Sequence, residues 1–242
     1  LELGRQPKAN EYEDLPEVRK RLGSPNRAER LFIERGGGEE LEQGRQNRIN
    51  DLLVYLGLAN FRKKVPFIHL SDRLKRDIKL FFGHYKIGLQ KGLDLLFAAG
   101  DPDEIDLACE DLPIGWQDHQ ALYIHRDLLP RLPPVLRLLV GCATQLYGDV
   151  AEADIIKIHR RSGKVTFLAY DDFQGKRLPE LTLRIKVDLR RLFVSVFDHS
   201  GQGQILFYKE RFLPPEHADW EALNAYGKKL SRIGIEEQVG FG

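Results

Sequence analysis

The sequence predicts an α+β fold, an N-terminal multi-helical half followed by an antiparallel β-sheet with a C-terminal helix. Three observations lead there. Apolar residues recur at helical spacing up to about residue 150, whereas from Asp154 the period becomes two. The turns between the later strands are too short for a parallel crossover. The expected organisation is a small helix-turn-helix unit over 1–36, a helical domain over 39–150 and a sheet domain over 151–242, with Gly36-Gly37-Gly38 as the first linker.

In the first unit, Asp14 can cap a helix that has Pro16 and Glu17 in its opening turn, Leu15, Val18 and Leu22 on one face, and Gly23 at its end. Ser24 caps a second helix that opens on Pro25. Past the glycines, Leu52, Leu53, Leu56 and Phe61 mark a helix closing at Arg62-Lys63-Lys64, where cations suit the negative helix end. Ser71 opens the next. Along it Leu74, Ile78, Phe81, Phe82, Tyr85 and Leu89 share about a third of the helical circumference, and Lys75, Arg76, Lys79 and Lys86 lie beside that stripe. Gly88, Gly92 and Gly100 weaken or close turns, and Asp101-Pro102-Asp103-Glu104 starts a helix expected to reach Asp111. Ala121–Leu129 and Pro134–Tyr147 read as further packing helices.

In the sheet half, Ile155–His159 and Val165–Tyr170 flank a tight turn at Arg161-Ser162-Gly163-Lys164. Leu181, Leu183, Ile185, Val187 and Leu189 then alternate with Thr182, Arg184, Lys186, Asp188 and Arg190, so that one face is buried and one is wet. The alternation slips at Arg190-Arg191, as a bulge or abrupt turn requires, before a strand over Leu192–Asp198. Gly201-Gln202-Gly203 leads into an expected strand over Ile205–Phe212, and Ala218–Leu230 forms the closing helix.

A chain of 242 residues with 42% hydrophobic and 30% charged residues can bury a core and is not apolar-poor in the manner of disordered chains. No apolar run reaches the roughly 18–20 residues of a membrane span, and Leu1-Glu2-Leu3-Gly4-Arg5 lacks a signal-peptide apolar region, so a cytoplasmic location is expected. Cys109 and Cys142, the two cysteines, suit buried free thiols in a reducing compartment. Absence of Met and a start at Leu1 read as a piece of a longer polypeptide whose chemical centre lies upstream.

The net charge of +1 conceals segregation: residues 60–91 hold nine Lys/Arg against two Asp/Glu, 92–153 three against eleven, and 154–211 twelve against seven. Such blocks can build a basic face for a polyanion on a neutral protein. Catalytic signatures are incomplete by comparison. Neither phosphate-binding glycine pattern occurs in its setting, HExxH and CxxC are missing, Ser195 and Ser200 lack a nucleophile elbow, and Asp171-Asp172 reads as a solvated turn. No catalytic residue and no metal ligand is assigned. His125 beside Arg126 reads as a surface or capping pair.

Binding signals are stronger. His159, Arg160, Arg161 and Lys164 gather at one hairpin tip, where long side chains reach phosphate oxygens. Arg5, Arg19, Arg27 and Arg30 surround a helix-turn-helix whose second helix begins with Ser24 and Asn26, residue types that meet phosphates or base edges from a helix N-terminus. Lys75 and Lys79 extend the basic set.

Gly4-Arg5-Gln6-Pro7, Leu15–Leu22 and Gly23-Ser24-Pro25-Asn26-Arg27-Ala28 resemble the homing-endonuclease-associated helical repeat, a DNA-binding module with a GRxP opening and a G-S-x-x-x-A second helix. A longer resemblance is carried by Asp51–Leu56, Asp77-Ile78-Lys79 with Phe82–Lys86, Ala121–Arg126, Gly141-Cys142-Ala143, Ile156–Arg160, Lys164-Val165 and Tyr170–Phe173. In order and spacing these are similar to the C-terminal region of DNA phosphorothioation-associated methyltransferases. In that family an S-adenosylmethionine-binding domain precedes the region, and this chain lacks it. The resemblance implies an accessory, DNA-engaging region of such an enzyme, with S-adenosylmethionine a cofactor of the longer protein only. The alternative is a protein-interaction subunit of the sulfur-modification or restriction machinery with no direct DNA contact, which suits the acidic stretch Asp94–Asp149.

Overall fold

The computed structural model describes residues 2–62, 64–110, 112–148 and 153–235. It is α+β: helices dominate the N-terminal part, an antiparallel sheet follows, and a helix closes the chain. Two compact units emerge, Leu1–Gly92 and Leu93–Gly242, so that this division falls within α5 (Tyr85–Gly100). No described helix is long and apolar enough to cross a membrane.

In the first unit, α1 (Leu15–Leu22), α2 (Pro25–Phe32) and α4 (Asp72–Phe82) begin at the expected caps. Asp14 accepts from the Glu17 amide at 3.0 Å, Ser24 from Arg27 at 3.2 Å and Ser71 from Leu74 at 3.3 Å, each satisfying a donor that the first helical turn leaves open. Gly36 (φ 94) kinks the path from α2 into α3 (Gly38–Phe61), but Gly37 is buried against the Phe32 ring, so the glycines form a packed joint and not a loose linker. The stripe from Leu74 to Leu89 belongs to two helices. Gly83 (φ 73) ends α4 with its amide on the Lys79 carbonyl, and the chain restarts as α5. The stripe survives the break because Tyr85 and Leu89 pack on the same core as Leu74, around Leu52, Leu56, Ile78 and Phe82.

At Gly92 a Cβ would lie 2.7 Å from the Gly57 amide nitrogen, so α5 runs against the α3 backbone there. Gly92→Val is expected to lower the stability of this unit by about 1–3 kcal/mol, because backbone cannot yield as a side chain does. Thermal melting followed by circular dichroism checks it.

In the second unit the sheet follows chain order: β1 (Trp116–Gln117), β2 (Ala121–His125), β3 (Ile155–His159), β4 (Lys164–Tyr170), β5 (Leu181–Asp188) and β6 (Phe193–Asp198), every pair antiparallel. The sheet therefore starts well before residue 150. Ala121–Leu129, expected as a helix, is β2 followed by a 3-10 turn over Arg126–Arg131. All five β2 residues are buried, so the alternation that marks a strand is missing from the sequence. Ile205–Phe212 is the opposite correction. Only Ile205 bridges to Glu180, and Lys209–Phe212 is a 3-10 turn. The slip at Arg190-Arg191 is a turn whose left-handed residue is Leu192 (φ 51), and Gly163 (φ 66) turns the β3–β4 hairpin.

α7 (Pro134–Tyr147) packs on one face of the sheet, against β4 and β5, with α6 (Pro102–Cys109) beside it. Register puts Leu122, Ile124, Ile156, Ile158, Val165, Phe167, Ile185 and Val187 on that buried face. Part of the other face is covered by Leu206, Phe212, Leu213 and Leu223, the last from α8 (Trp220–Arg232), over Tyr123, Ile155, Leu168 and Leu181. Both cysteines are buried and unbridged, and burial pushes the Cys109 thiol up to about 11 and Cys142 up to about 12.

Candidate nucleic-acid interface

The basic hairpin tip is largely neutralised within its own unit. Arg160 binds the Asp106 carboxylate and, at 3.3 Å, its carbonyl; Arg161 binds Asp106 and, at 3.1 Å, Asp103. The acidic start of α6 thus clasps the β3–β4 hairpin, and Arg160 and Arg161 hold the Asp106 carboxyl below its ordinary range. Burial and the neighbouring Lys157, Lys186 and Lys164 push His159 down to about 4, and its Nε2 lies 3.1 Å from the Thr166 hydroxyl. Lys164 pairs with Asp188 at 3.7 Å. Asp106→Asn is expected to release both arginines, tighten polyanion binding a few-fold and steepen its salt dependence by about one charge. Anisotropy titrations of labelled DNA at two salt concentrations measure this.

In the first unit the expected residues disperse. Arg5 is nearly enclosed, held by Asp77 at 2.6 Å and by both Glu11 oxygens at 2.8 and 2.9 Å. Ser24 is occupied in capping α2, and Asn26 accepts from Gln6. Arg19 and Arg27 are exposed, Lys75 lies 3.6 Å from Asp72, and Lys79 sits 5.7 Å from the centre of the Phe67 ring. Beside them is an open groove of about 1340 Å³ whose lining carries seven carboxylates, Glu13, Glu29 and Glu42 among them, against the three guanidinium groups of Arg5, Arg45 and Arg73. That excess of carboxylates disfavours phosphate.

The residues the structure brings together lie on the sheet face opposite α7. Register aligns Tyr123, Lys157, Thr166, Lys186 and Ser195 across β2 to β6, with Lys164, Asp188 and Phe193 in the row on one side and Leu168, Arg184 and Phe197 in the row on the other. Lys157 is buried 5.1 Å from the centre of the Tyr123 ring. Its ammonium is pushed down by burial, and further by Lys186 and Arg184, against an opposing pull from Asp118. Asp118 also accepts from the Gln120 and Ala121 amides at 2.7 Å and lies 3.4 Å from the Tyr123 hydroxyl. Lys186 is half-buried in the middle of the row. Arg184 stacks on Phe197 at 4.4 Å, while Phe193 and Phe197 are 61% and 39% exposed although strand alternation usually turns such rings inward. Three cations in adjacent registers, on a floor of hydroxyls and edged by bare aromatic rings, offer charge and stacking to an anion.

Lys157, Arg184 and Lys186 are not among the residues singled out from sequence. A signal existed for two of them, Arg184 and Lys186 two apart on the wet side of the clearest strand. His125 ends the row of Leu168, Arg184 and Phe197 at β2, fully buried and stacked on Phe173 at 5.2 Å, with Nδ1 accepting from the Asp127 amide; it caps the following turn but is not on the surface. Asp171-Asp172 is the expected turn, its carboxylates occupied by the Glu180 and Gly175 amides and by Lys176. No group of ligand-type side chains suited to a metal occurs among the described residues. No family model, curated protein or solved structure matches this chain.

Proposed function

We propose that this chain is a nucleic-acid-engaging region whose contact surface is the polar face of the sheet, and not the first helical unit or the hairpin tip alone. The observation that supports it is the grouping of Lys157, Lys186 and Arg184 in adjacent registers beside Phe193 and Phe197. With Lys157 buried, the two cations that reach the surface, Arg184 and Lys186, give a log affinity that falls with log salt at a slope of roughly −2. Anisotropy of a labelled DNA, read from about 50 to about 200 mM salt, tests this. The double variant Arg184→Glu/Lys186→Glu is expected to bind at least about tenfold more weakly with an unchanged circular dichroism spectrum. Equal binding by the variant, or binding indifferent to salt, overturns the reading.

The resemblance set out above supports reading this activity as part of DNA phosphorothioation, in the DNA-side accessory region of a methyltransferase. The described sheet is antiparallel throughout and no glycine-rich loop joins one of its strands to a helix, so no step of methyl transfer is assigned to these residues. The reading frame upstream of Leu1 tests the setting: a strand-loop-helix cofactor site supports it, and a start codon close by defeats it. A protein-interaction subunit is the second reading, and the acidic groove of the first unit favours it. Retention of sulfur-modification proteins after nuclease treatment, undiminished in the Arg184→Glu/Lys186→Glu variant, selects it.

A further inference from the structure

Resting on the reading that the sheet face binds nucleic acid, we infer that the strand it takes is unpaired, with bases stacked on Phe197 and Phe193 and phosphates held by Arg184 and Lys186. Three features of β6 carry this. It is an edge strand, pairing only with β5 among the described residues. On the side facing away from α7 it presents Phe193, Ser195 and Phe197 in succession, and register sets these beside Asp188, Lys186 and Arg184 of β5. The two rings are therefore ~13 Å apart along the strand, with a hydroxyl between them and a row of charge alongside. Neither ring is needed to close the core on α7, which lies on the opposite face.

The chemistry separates the possible nucleic acids. A duplex keeps its bases stacked inside and shows a protein mainly phosphates and groove edges, so a flat aromatic ring contributes little. An unpaired strand offers each base as a π-face, and base–aromatic stacking is tolerant of sequence. The Arg184 guanidinium, 4.4 Å from the centre of the Phe197 ring, sets a cation beside the stacking surface. Asp188 draws Lys164 to the far end of the patch, which leaves Lys186 and Arg184 nearest the rings.

The test uses the full chain with three probes: a fluorescein-labelled oligothymidylate of about 20 nucleotides, longer than the roughly 4–16 nucleotides that one sheet platform covers, a duplex of the same length, and heparin. Phe197→Ala is expected to weaken oligothymidylate binding about tenfold, as loss of one stacked base does, with duplex and heparin changed less than about twofold. Lys186→Glu should weaken all three. Phe197→Trp should restore oligothymidylate binding, with tryptophan fluorescence quenched on addition of the probe. If Phe197→Ala leaves oligothymidylate binding intact while Lys186→Glu abolishes it, the unpaired-strand inference is wrong and the polyanion reading stands. If wild-type chain binds none of the probes, the polyanion reading itself falls. If Phe197→Ala turns a dimer into a monomer by light scattering and lowers all three affinities alike, the edge is an interface between copies and the inference is overturned.

Discussion

Replacing Asp77 by Ala is expected to lower the stability of the first unit by about 3–5 kcal/mol, enough to unfold a marginal domain. The carboxylate is fully buried and serves two guanidinium groups, Arg5 at 2.6 Å on one oxygen and Arg48 at 2.5 and 2.9 Å on the other. Both arginine side chains are themselves mostly enclosed, at 8% and 15% exposure. Removing the anion takes from Arg48 its carboxylate partner and leaves Arg5 with Glu11 alone, a cost far above that of losing an exposed pair. The network has a second anchor in Glu11, which takes Arg5 and, at 2.6 Å, Arg76. Hydrogen bonds from Arg5 are the main cause holding the Glu11 carboxyl well below the usual range. A depressed carboxyl contributes its stability above the unfolded value of about 4.5 and loses it as pH falls further. Unfolding midpoints of the first unit should thus be level from neutrality to about pH 5 and drop below it. Glu11→Gln should be less stable at neutral pH and show a shallower acid limb. Urea titrations across pH, followed by circular dichroism, measure both variants.

Phe167→Ala is the corresponding expectation for the second unit, a loss of about 3–5 kcal/mol. Phe167 is fully buried on β4, with Ile156 and Ile185 opposite it on the flanking strands and α7 over that face. Truncation leaves a void in the middle of a sheet that packing cannot collapse without parting strands. Phe167→Leu should cost distinctly less, because most of the volume stays. The neighbouring residue, Thr166, points to the opposite face between Lys157 and Lys186, so loosening β4 reaches the candidate site directly. On the proposed reading, Phe167→Ala should weaken DNA binding near its melting temperature while leaving it close to wild type in the cold, a difference that paired melting and binding curves resolve.

Local chemistry was legible where it is self-contained. Asp14, Ser24 and Ser71 bond to amides three residues away, so each cap can be read from a short stretch of sequence. The alternation of β5 likewise records one buried and one polar face. β2 was unreadable for the converse reason, since burial on both faces erases the period, and the single β-branched residue in Ala121–His125 does not restore it. Gly83 was hidden by the stripe running through it, because two helices share one core.

The site was less legible than the fold, because charge can be counted in a sequence but pairing cannot. Arg160 and Arg161 stand out as a basic pair, yet their counterions lie 54 to 58 positions earlier, in α6. Lys157 sits within an apolar strand and Lys186 within an alternating one, and only the register between β3, β4 and β5 sets them on either side of Thr166. Binding character belongs to the row across the strands more than to any segment along them.

The order of the sheet also carries a consequence for how the second unit assembles. Each strand pairs with its neighbour in the chain, so β3 to β6 can close by successive short turns at small entropic cost. Only the join of β2 to β3 must bring His125 to Ile155 across the whole of α7. Zipping from β3 onward and late docking of β1 and β2 is the kinetic path this topology favours. The rows of the candidate site that lie on β3 to β6 would then form before Tyr123 arrives to cover Lys157. A ligand that engages those rows early would select a growing sheet, making binding and folding of this unit one cooperative event.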